Sequence, residues 1–400
     1  MNKKEGAIEW FVLLLVVSSV FFPTIPLGIG LRLDDILSLL IIPLLFLVKP
    51  KFRSSRLNYT YLFILFSVTL SIIYGYIVLD VPPTIRDFNE LVRLIKPFLI
   101  ILVVDYCNSH FLARLLDKFF KLGAAALILF GLFEYFNVFG FRNILSEIYA
   151  TTDRFSDITR KRIVLTTGDP NVSAGLLLYF LTYLTQSLFL KKRISIKLSL
   201  LFLLLVVLLM TSSRTLLIVF ALIMFASLLF HGRRKKILSV VILIVSVLTI
   251  AVLIQFFDYL TVGFSTFQSG ENTSMLIRYL RWKEAFELFL KSPILGWGPA
   301  KSIHTTIVDG EHFMLLRRYG LLGYGAIMSL LLGYGVVFIR NIKKISRIGG
   351  NVEILGFTSA FLCIMIVFIM ITNNFFSGYQ LMPLFIVMIT LVEKELRKNI

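Results

Sequence analysis

The stretch TSMLIRYLRWKEAFELFLKSPILGWGPAKSIHTTIVDGEHFMLLRRYGLLG, residues 273–323, decides how the rest of the chain is arranged. It is the largest polar stretch in a very hydrophobic sequence. It opens with Trp282 among arginines, breaks at Pro293 and Gly296–Pro299, and then gathers histidines and acids before apolar sequence resumes. Because Pro and Gly interrupt helices, the pattern predicts a helix, a turn and a polar lead into the next helix. We expect the remaining sequence to form a scaffold around this stretch.

The composition predicts an integral membrane protein. Of the 400 residues, 58% are hydrophobic and only 16% are charged, which is more apolar surface than a soluble domain can bury. The net charge of +18 comes from short basic clusters between apolar runs, a pattern typical of membrane topology rather than of nucleic-acid binding. Cys107 and Cys363 fall within or beside apolar runs, so no disulfide framework is expected.

Twelve apolar stretches are candidates to cross a hydrocarbon core of about 30 Å. They lie near residues 8–22, 33–48, 59–79, 91–106, 119–136, 171–190, 196–211, 214–230, 237–257, 320–339, 352–372 and 375–392. Each should be helical, because lipid leaves the backbone polar groups no partner outside the segment. We therefore predict an all-α, polytopic protein with a single membrane domain over residues 1–400.

The basic clusters predict the orientation of these spans. They occur at residues 3–4, 49–56, 114–121, 191–197, 233–236, 340–347 and 394–398, all on one side of a twelve-span arrangement. Short cytoplasmic loops carry such an excess of Lys and Arg, so both termini are predicted to be cytoplasmic. Residues 137–170 and 258–319 then form two long extracytoplasmic loops. Long loops usually carry function, and 258–319, between spans nine and ten, is the main one.

Charged residues crowd at the outer ends of the predicted spans. Arg93 and Lys96 share one face of span four, Asn171 opens span six, and Arg214 lies in the tight turn between spans seven and eight. Each side chain could extend to the lipid headgroups. Taken together, they predict a basic cavity open to the outer face, suited to phosphate groups that arginine binds through several donors.

The main loop continues this pattern. On a helix from about Ser274 to Lys291, Arg278 and Arg281 share a polar face, and the remainder is largely apolar. Such a helix is typical of one that lies at the membrane interface. Its arginines would contact either lipid headgroups or a pyrophosphate.

Four polar residues precede the tenth span: His304, Asp309, Glu311 and His312. Their spacing is not that of a zinc motif, so no metal site is expected. Asp309 and Glu311 are candidate general bases, since a sugar hydroxyl needs a proton acceptor to become a nucleophile. The alternative is a solvated acidic helix start, offset by Arg317 and the residue after it.

Three segments resemble those of the bacterial O-antigen ligase and Wzy-type polysaccharide polymerase superfamily. They are the turn Ser212–Thr215, the Arg278-x-x-x-Trp282 segment followed by Ser292–Pro299, and Asp309–Gly323, which ends in Gly-x-x-Gly. Gly168–Asn171 and the pair Asp34–Asp35 are weaker matches.

The resemblance implies a metal-independent, inverting glycosyltransferase of GT-C-like helical architecture that needs no cofactor. Its donor would be a polyprenyl-pyrophosphate-linked oligosaccharide, at the outer face of a bacterial cytoplasmic (inner) membrane. Arg214 and Arg278 would neutralise the pyrophosphate, and Asp309 or Glu311 would activate the acceptor. Further substrate contacts are expected from Arg93, Lys96, Arg281, Asn171, His304, His312 and Arg317.

The position eleven residues before the first Gly of Gly-x-x-Gly favours one branch of the superfamily. Ligases that join O-antigen to lipid A-core place His there, whereas this chain has Asp309 eleven residues before Gly320. The sequence therefore favours a polymerase of O-antigen or capsule, with a ligase or a flippase for lipid-linked glycans as alternatives. Expected partners are membrane lipids, a flippase and a chain-length regulator, and no nucleic acid.

Overall fold

The structure is a computed structural model that describes residues 6–25, 31–48, 55–149, 162–190, 195–231, 273–304, 308–378 and 380–398. In these ranges the regular structure is α-helical, apart from a 3₁₀ turn at Val138–Gly140 and one antiparallel pair of two-residue strands, β1 (Thr24–Ile25) and β2 (Leu31–Arg32). The helices are α1 (Ala7–Phe21), α2 (Leu33–Val48), α3 (Arg56–Val78), α4 (Ile85–Val104), α5 (Ser109–Tyr135), α6 (Phe141–Tyr149), α7 (Pro170–Leu190), α8 (Ser195–Met210), α9 (Arg214–His231), α10 (Thr273–Lys291), α11 (Glu311–Arg340), α12 (Ile342–Ile348), α13 (Gly350–Ile369) and α14 (Met382–Lys398).

The predicted polytopic helical architecture is confirmed. Among the described residues, five helices are long and apolar enough to cross a membrane, namely α3, α7, α9, α11 and α13. A sixth span results if α5 and the segment Val138–Tyr149, bent by 107°, are one unit. The total of twelve stays a prediction, and its ninth span, 237–257, lies outside the described residues.

Several span boundaries differ from the sequence prediction, among them the starts of α4 and α5, which lie six and ten residues before the expected 91 and 119. The helix expected at 320–339 begins at Glu311, and the last helix, expected at 375–392, begins at Met382. Residues 375–378 instead form part of a loop, whose backbone N–H groups bond to Glu311. The hydropathy of Phe375 and Phe376 had suggested a span, but these side chains are buried within the protein.

The interior of the bundle is formed by helices that other helices enclose. In α7, 94% of the most apolar stretch is buried, against 33% in α3, so α7 is central and α3 peripheral. α13 packs against both α7 and α11, and α11 in turn packs against α3 and α10. This arrangement places the polar ends of α4, α7 and α11 near one another.

Helix α11 is broken at Gly320, where the backbone adopts φ 58° and ψ −165°. The segment Pro293–Trp297 supplies the hydrogen bonds that the break leaves open. Leu321 N donates to Pro293 O at 2.8 Å, Leu322 N to Ile294 O at 3.1 Å, and Trp297 N to Arg317 O at 3.0 Å. Buried irregular backbone requires such partners, so the Pro- and Gly-rich turn is docked on the break.

Helix α3 completes this junction through Ser71. The Ser71 hydroxyl donates to Arg318 O at 2.7 Å and accepts from Gly298 N at 3.1 Å. One turn further along α3, a side chain in place of Gly75 would collide with the carbonyl of Trp297. The turn after α10 is therefore held between α3 and α11, and this contact fixes where residues 298–304 run.

We predict that Gly320→Ala destabilises the protein, because a Cβ would meet the backbone of Ile294 and L-residues rarely adopt this conformation. Strained backbone of this kind costs about 1–3 kcal/mol. Gly325→Ala in the same helix is the control: its Cβ would have open space, and Ala is worth roughly 0.5–1 kcal/mol over Gly in a helix. Melting temperatures in detergent should fall for the first variant only. Equal melting temperatures would contradict the docking role of the break.

Candidate active site

A cavity of about 560 Å³ opens where the ends of α4, α7 and α11 meet the turn after α10 and the loop before α14. Its volume lies within the range of small-molecule sites, roughly 300–1,000 Å³. The residues that line it are Arg86, Glu90, Arg93, Asp169, Asn171, Val172, Lys301, His304, Asp309, Met314, Arg318, Asn373, Asn374, Phe375, Ser377 and Gly378.

The lining is mixed in charge, whereas the sequence predicted a basic cavity. Four lining side chains are basic and three are acidic. Glu90 accounts for part of this balance, since its carboxylate lies 2.6 Å from Lys301 Nζ and 3.3 Å from Arg318 Nη1. Two cations from different parts of the chain are thereby fixed beside one another. An anionic ligand would find them already in place.

Asp309 is held in the cavity wall by two residues of α10. Arg278 Nε lies 3.7 Å from the Asp309 carboxylate, and the indole N–H of Trp282 donates to the Asp309 carbonyl. The two residues are four positions apart, so they lie on the same face of the helix. The Asp309 side chain remains 45% exposed. The Arg-x-x-x-Trp spacing thus brings two side chains of α10 to one acidic residue at the cavity.

Glu311 is placed very differently from Asp309. It is fully buried, and its carboxylate accepts hydrogen bonds from Phe375 N, Phe376 N and Ser377 N at 2.6, 2.6 and 2.5 Å. A carboxylate that accepts several backbone N–H groups holds that backbone firmly. Glu311 therefore fixes the loop that carries the cavity residues Asn373 and Asn374.

A second buried glutamate holds the opposite wall in the same way. Glu134 of α5 accepts from Val164 N at 2.7 Å and Leu165 N at 2.9 Å, which orders the segment before α7. Asp169 then caps α7 by accepting from Asn171 N at 2.6 Å.

The Gly168–Asn171 segment and the Arg214 turn meet at this wall. Asn171 Oδ1 accepts from Ser213 Oγ at 3.2 Å and from Arg162 Nη2 at 3.3 Å. Asn171 lines the cavity, and Arg214 directly follows Ser213 at the start of α9. The structure thus brings two of the sequence motifs together, although Arg214 itself is outside the lining among the described residues.

Four of the predicted site residues line the cavity together: Arg93, Asn171, His304 and Asp309. Lys96 does not, because its Nζ lies 2.5 Å from Asp34 and 2.7 Å from Asp35 in a buried cluster. Arg32 completes that cluster at 3.0 Å from Asp34. The predicted role of Lys96 at a phosphate would require this cluster to open.

Other predicted residues also lie away from the lining. His312 Nε2 is 2.8 Å from Val367 O, and its Nδ1 is 3.1 Å from Tyr324 Oη. Arg317 is buried, near the charge of Glu284 on α10. Arg278 contacts the cavity through Asp309, and Arg281 is also outside the lining among the described residues.

Sequence reasoning missed Arg318, Lys301, Arg86 and the pair Asn373–Asn374 as cavity residues. Arg318 had a signal, because Glu311, Met314 and Arg318 follow the i, i+3, i+7 spacing of one helix face. Arg86 similarly shares a face of α4 with Arg93, seven positions later. The asparagine pair had no such signal, since a loop over 50 residues downstream reaches the cavity only through the fold.

Burial lowers the pKa of His304, and the nearby positive charge of Arg317 lowers it further, with Glu284 acting in the opposite sense. His304 lies in the loop after α10 and is neutral at pH 7. A neutral imidazole at the cavity can donate or accept a hydrogen bond.

A family model described as O-antigen ligase matches residues 199–320. The matched segment includes Arg214, Arg278, Trp282, Asp309 and Gly320, and so covers two of the three resembling segments in full and the third as far as Gly320. That resemblance to the O-antigen ligase and Wzy superfamily is confirmed. The match covers less than a third of the chain and supports a polytopic membrane protein of the O-antigen ligase or polymerase type. A search of curated proteins found no match.

We predict that Glu311→Gln destabilises the protein by about 3 kcal/mol, because the amide NH₂ would face backbone N–H donors that the carboxylate now satisfies. Asp309→Asn, two residues earlier and half exposed, should change stability by less than about 0.5 kcal/mol. Melting temperatures in detergent measure the difference. A Glu311→Gln variant as stable as the wild type would show that the Glu311 carboxylate does not stabilise the loop at residues 375–377.

Because the pKa of His304 is lowered on folding, the unfolded state binds a proton more readily. The folded protein should therefore lose stability as the pH falls through the ordinary histidine range near 6.5. His304→Gln should lose less on the same change. Melting curves at pH 7.5 and 5.5 for both proteins provide the test, and an identical loss would place His304 in a solvated environment.

Proposed function

We propose that this protein is a polymerase of a bacterial surface polysaccharide. It would transfer an oligosaccharide from polyprenyl pyrophosphate to the non-reducing end of another lipid-linked repeat unit. The observation that carries the proposal is the position of Asp309, an accessible carboxylate on the cavity wall beside Arg278. Its identity supports the polymerase branch, because Asp stands where the ligases that act on lipid A-core have His.

The residues around the cavity suit a single displacement. Asp309 would take the proton of the acceptor hydroxyl, whose oxygen attacks the anomeric carbon of the donor sugar as the bond to the pyrophosphate breaks. The proton ends on Asp309, and attack from the side opposite the leaving group inverts the anomeric centre.

Cationic side chains would neutralise the charge that develops on the leaving pyrophosphate, which is usually a large part of catalysis. Arg278 lies beside Asp309, and Arg93, Lys301 and Arg318 line the same cavity. Arg214 follows the serine that bonds to Asn171, at the edge of this group. These residues support a metal-independent reaction, because they carry the positive charge that a divalent cation would otherwise supply.

The distribution of basic residues between the two ends of α4 supports a site that faces outward from the cytoplasmic membrane. The cavity lies at the start of α4, and at the other end of α4 the carbonyls of Asp105 and Cys107 accept from Lys394 Nζ at 2.6 and 2.5 Å. Arg397 pairs with Asp105 there at 2.7 Å. Basic residues at the end away from the cavity are those expected in the cytoplasm. A flippase and a chain-length regulator would be the partners.

The description of the matching family favours a second candidate, an O-antigen ligase that passes the glycan to lipid A-core. Both reactions use the same donor and the same cavity chemistry. They differ in the acceptor, so the acceptor must be the variable of the experiment.

We predict that the purified protein in liposomes, given only its lipid-linked repeat unit, makes a ladder of longer lipid-linked glycans that survives chelator. Asp309→Asn should lower the rate by 10²–10⁴-fold, because the acceptor loses its general base. Arg278→Ala should lower it by about 10²-fold or more. Lys283→Ala, which removes a positive charge from an exposed position of α10, is the matched control and should retain the wild-type rate.

Other outcomes would change the assignment. Glycan that appears only after lipid A-core is added would establish the ligase. A change of leaflet without any new glycosidic bond would indicate a flippase. Full activity in Asp309→Asn would remove Asp309 as the base, and loss of activity with chelator would remove metal independence.

A further inference from the structure

Asp309 lies at a point where the backbone has little support of its own. Gly310, which follows it, adopts φ 127°, a conformation outside the helical region, and α11 begins only at Glu311. On the downstream side, Glu311 N donates to Met370 O at 2.8 Å. On the upstream side, support comes from α10, whose Trp282 donates its indole N–H to the Asp309 carbonyl.

The ring of Trp282 is itself well located. It stacks on Phe313 with ring centroids 5.3 Å apart and packs on a small cluster formed by Ala285, Val308 and Met314. A Cβ at position 310 would collide with the indole nitrogen, so Gly310 is what permits this approach. The indole of Trp282, the backbone of Gly310 and the carbonyl of Asp309 are therefore in direct contact.

We propose that Trp282 is a positioning residue, whose indole N–H holds the main chain of Asp309 so that its carboxylate lies at the distance from Arg278 and from the acceptor hydroxyl that transfer requires. This inference rests on the proposed function of Asp309 as the base. Arg278 holds the carboxylate and Trp282 the carbonyl of the same residue, from adjacent turns of one helix. Without the second contact, the main chain of Asp309 loses its bond to α10, and Gly310 has no side chain to restrict its backbone. Misplacement by about 1 Å can lower a rate by 10²-fold.

The chain offers a matched control at Trp297. Its indole N–H also donates to a main-chain carbonyl, that of Leu288, at 2.8 Å, and both tryptophans are half-buried. Trp282→Phe and Trp297→Phe therefore delete the same group from the same kind of bond. Only the Trp282→Phe substitution removes a hydrogen bond to Asp309.

The experiment measures kcat and KM of both variants for polyprenyl-pyrophosphate-linked repeat unit in liposomes, with Asp309→Asn in parallel. Trp282→Phe should lower kcat by about 10- to 100-fold with KM within about twofold, because positioning affects the reacting geometry rather than binding. Trp297→Phe should leave kcat within about threefold of the wild type. Phe313→Leu, which removes the stack but keeps the N–H donor, should fall between the two.

Several results would overturn the inference. Equal kcat values for Trp282→Phe and Trp297→Phe would contradict the positioning role. A Trp282→Phe variant with a raised KM and an unchanged kcat would contradict it too. A Trp282→Phe variant whose melting temperature and kcat fall in parallel with those of Trp297→Phe would show a purely structural role. The Asp309→Asn variant distinguishes failure of the positioning role from failure of the proposed base. If Asp309→Asn is inactive while Trp282→Phe keeps the wild-type kcat, only the positioning role of Trp282 is wrong. If Asp309→Asn is active, the proposed base itself fails.

Discussion

The break in α11 at Gly320 is the constraint on which the rest of the site depends. A helix that stops and restarts leaves backbone donors and acceptors without intrahelical partners, and when they are buried they need partners from elsewhere in the protein. Here the segment Pro293–Trp297 satisfies them, and Ser71 of α3 joins the same network. These bonds dock the turn after α10 between α3 and α11, and Lys301 and His304 beyond it line the cavity.

The buried carboxylates of Glu134 and Glu311 stabilise loops, whereas the carboxylate of Asp309 is accessible from the cavity. Glu134 and Glu311 each accept two or three backbone N–H bonds, and each orders a loop that has no regular structure of its own. A carboxylate used in this way is bonded to the backbone and, because it is buried, is shielded from a substrate. Asp309 has neither feature, since its side chain is half exposed and meets a guanidinium at 3.7 Å. Asp309 and Glu311 are two residues apart but differ in environment: Glu311 stabilises a loop, and Asp309 is the candidate base.

The cavity also shows how mixed charge can prepare an anion site. Two cations brought together without a counterion would repel one another and weaken the fold. Glu90 resolves this by binding both Lys301 and Arg318, so the pair is held before any ligand arrives. The neighbouring buried cluster of Lys96, Asp34, Asp35 and Arg32 is balanced in a similar way, but it faces inward and strengthens the join between α2 and α4.

The sequence by itself determined the class of the protein. Its hydropathy leaves no alternative to membrane helices, and the order of motifs around Arg214, Arg278 and Asp309 indicated the superfamily that the family match supports. It also predicted α10 nearly to its ends, and placed Arg93, Asn171, His304 and Asp309 near one site, because polar residues in an apolar chain have few places to go. Only the tertiary structure showed that Asp309 is half exposed at the cavity while Glu311 is buried, assigned Lys96 to an internal cluster, and brought Asn373 and Asn374 to the cavity. Those outcomes depend on which partners distant segments find, and local hydropathy carries no record of them.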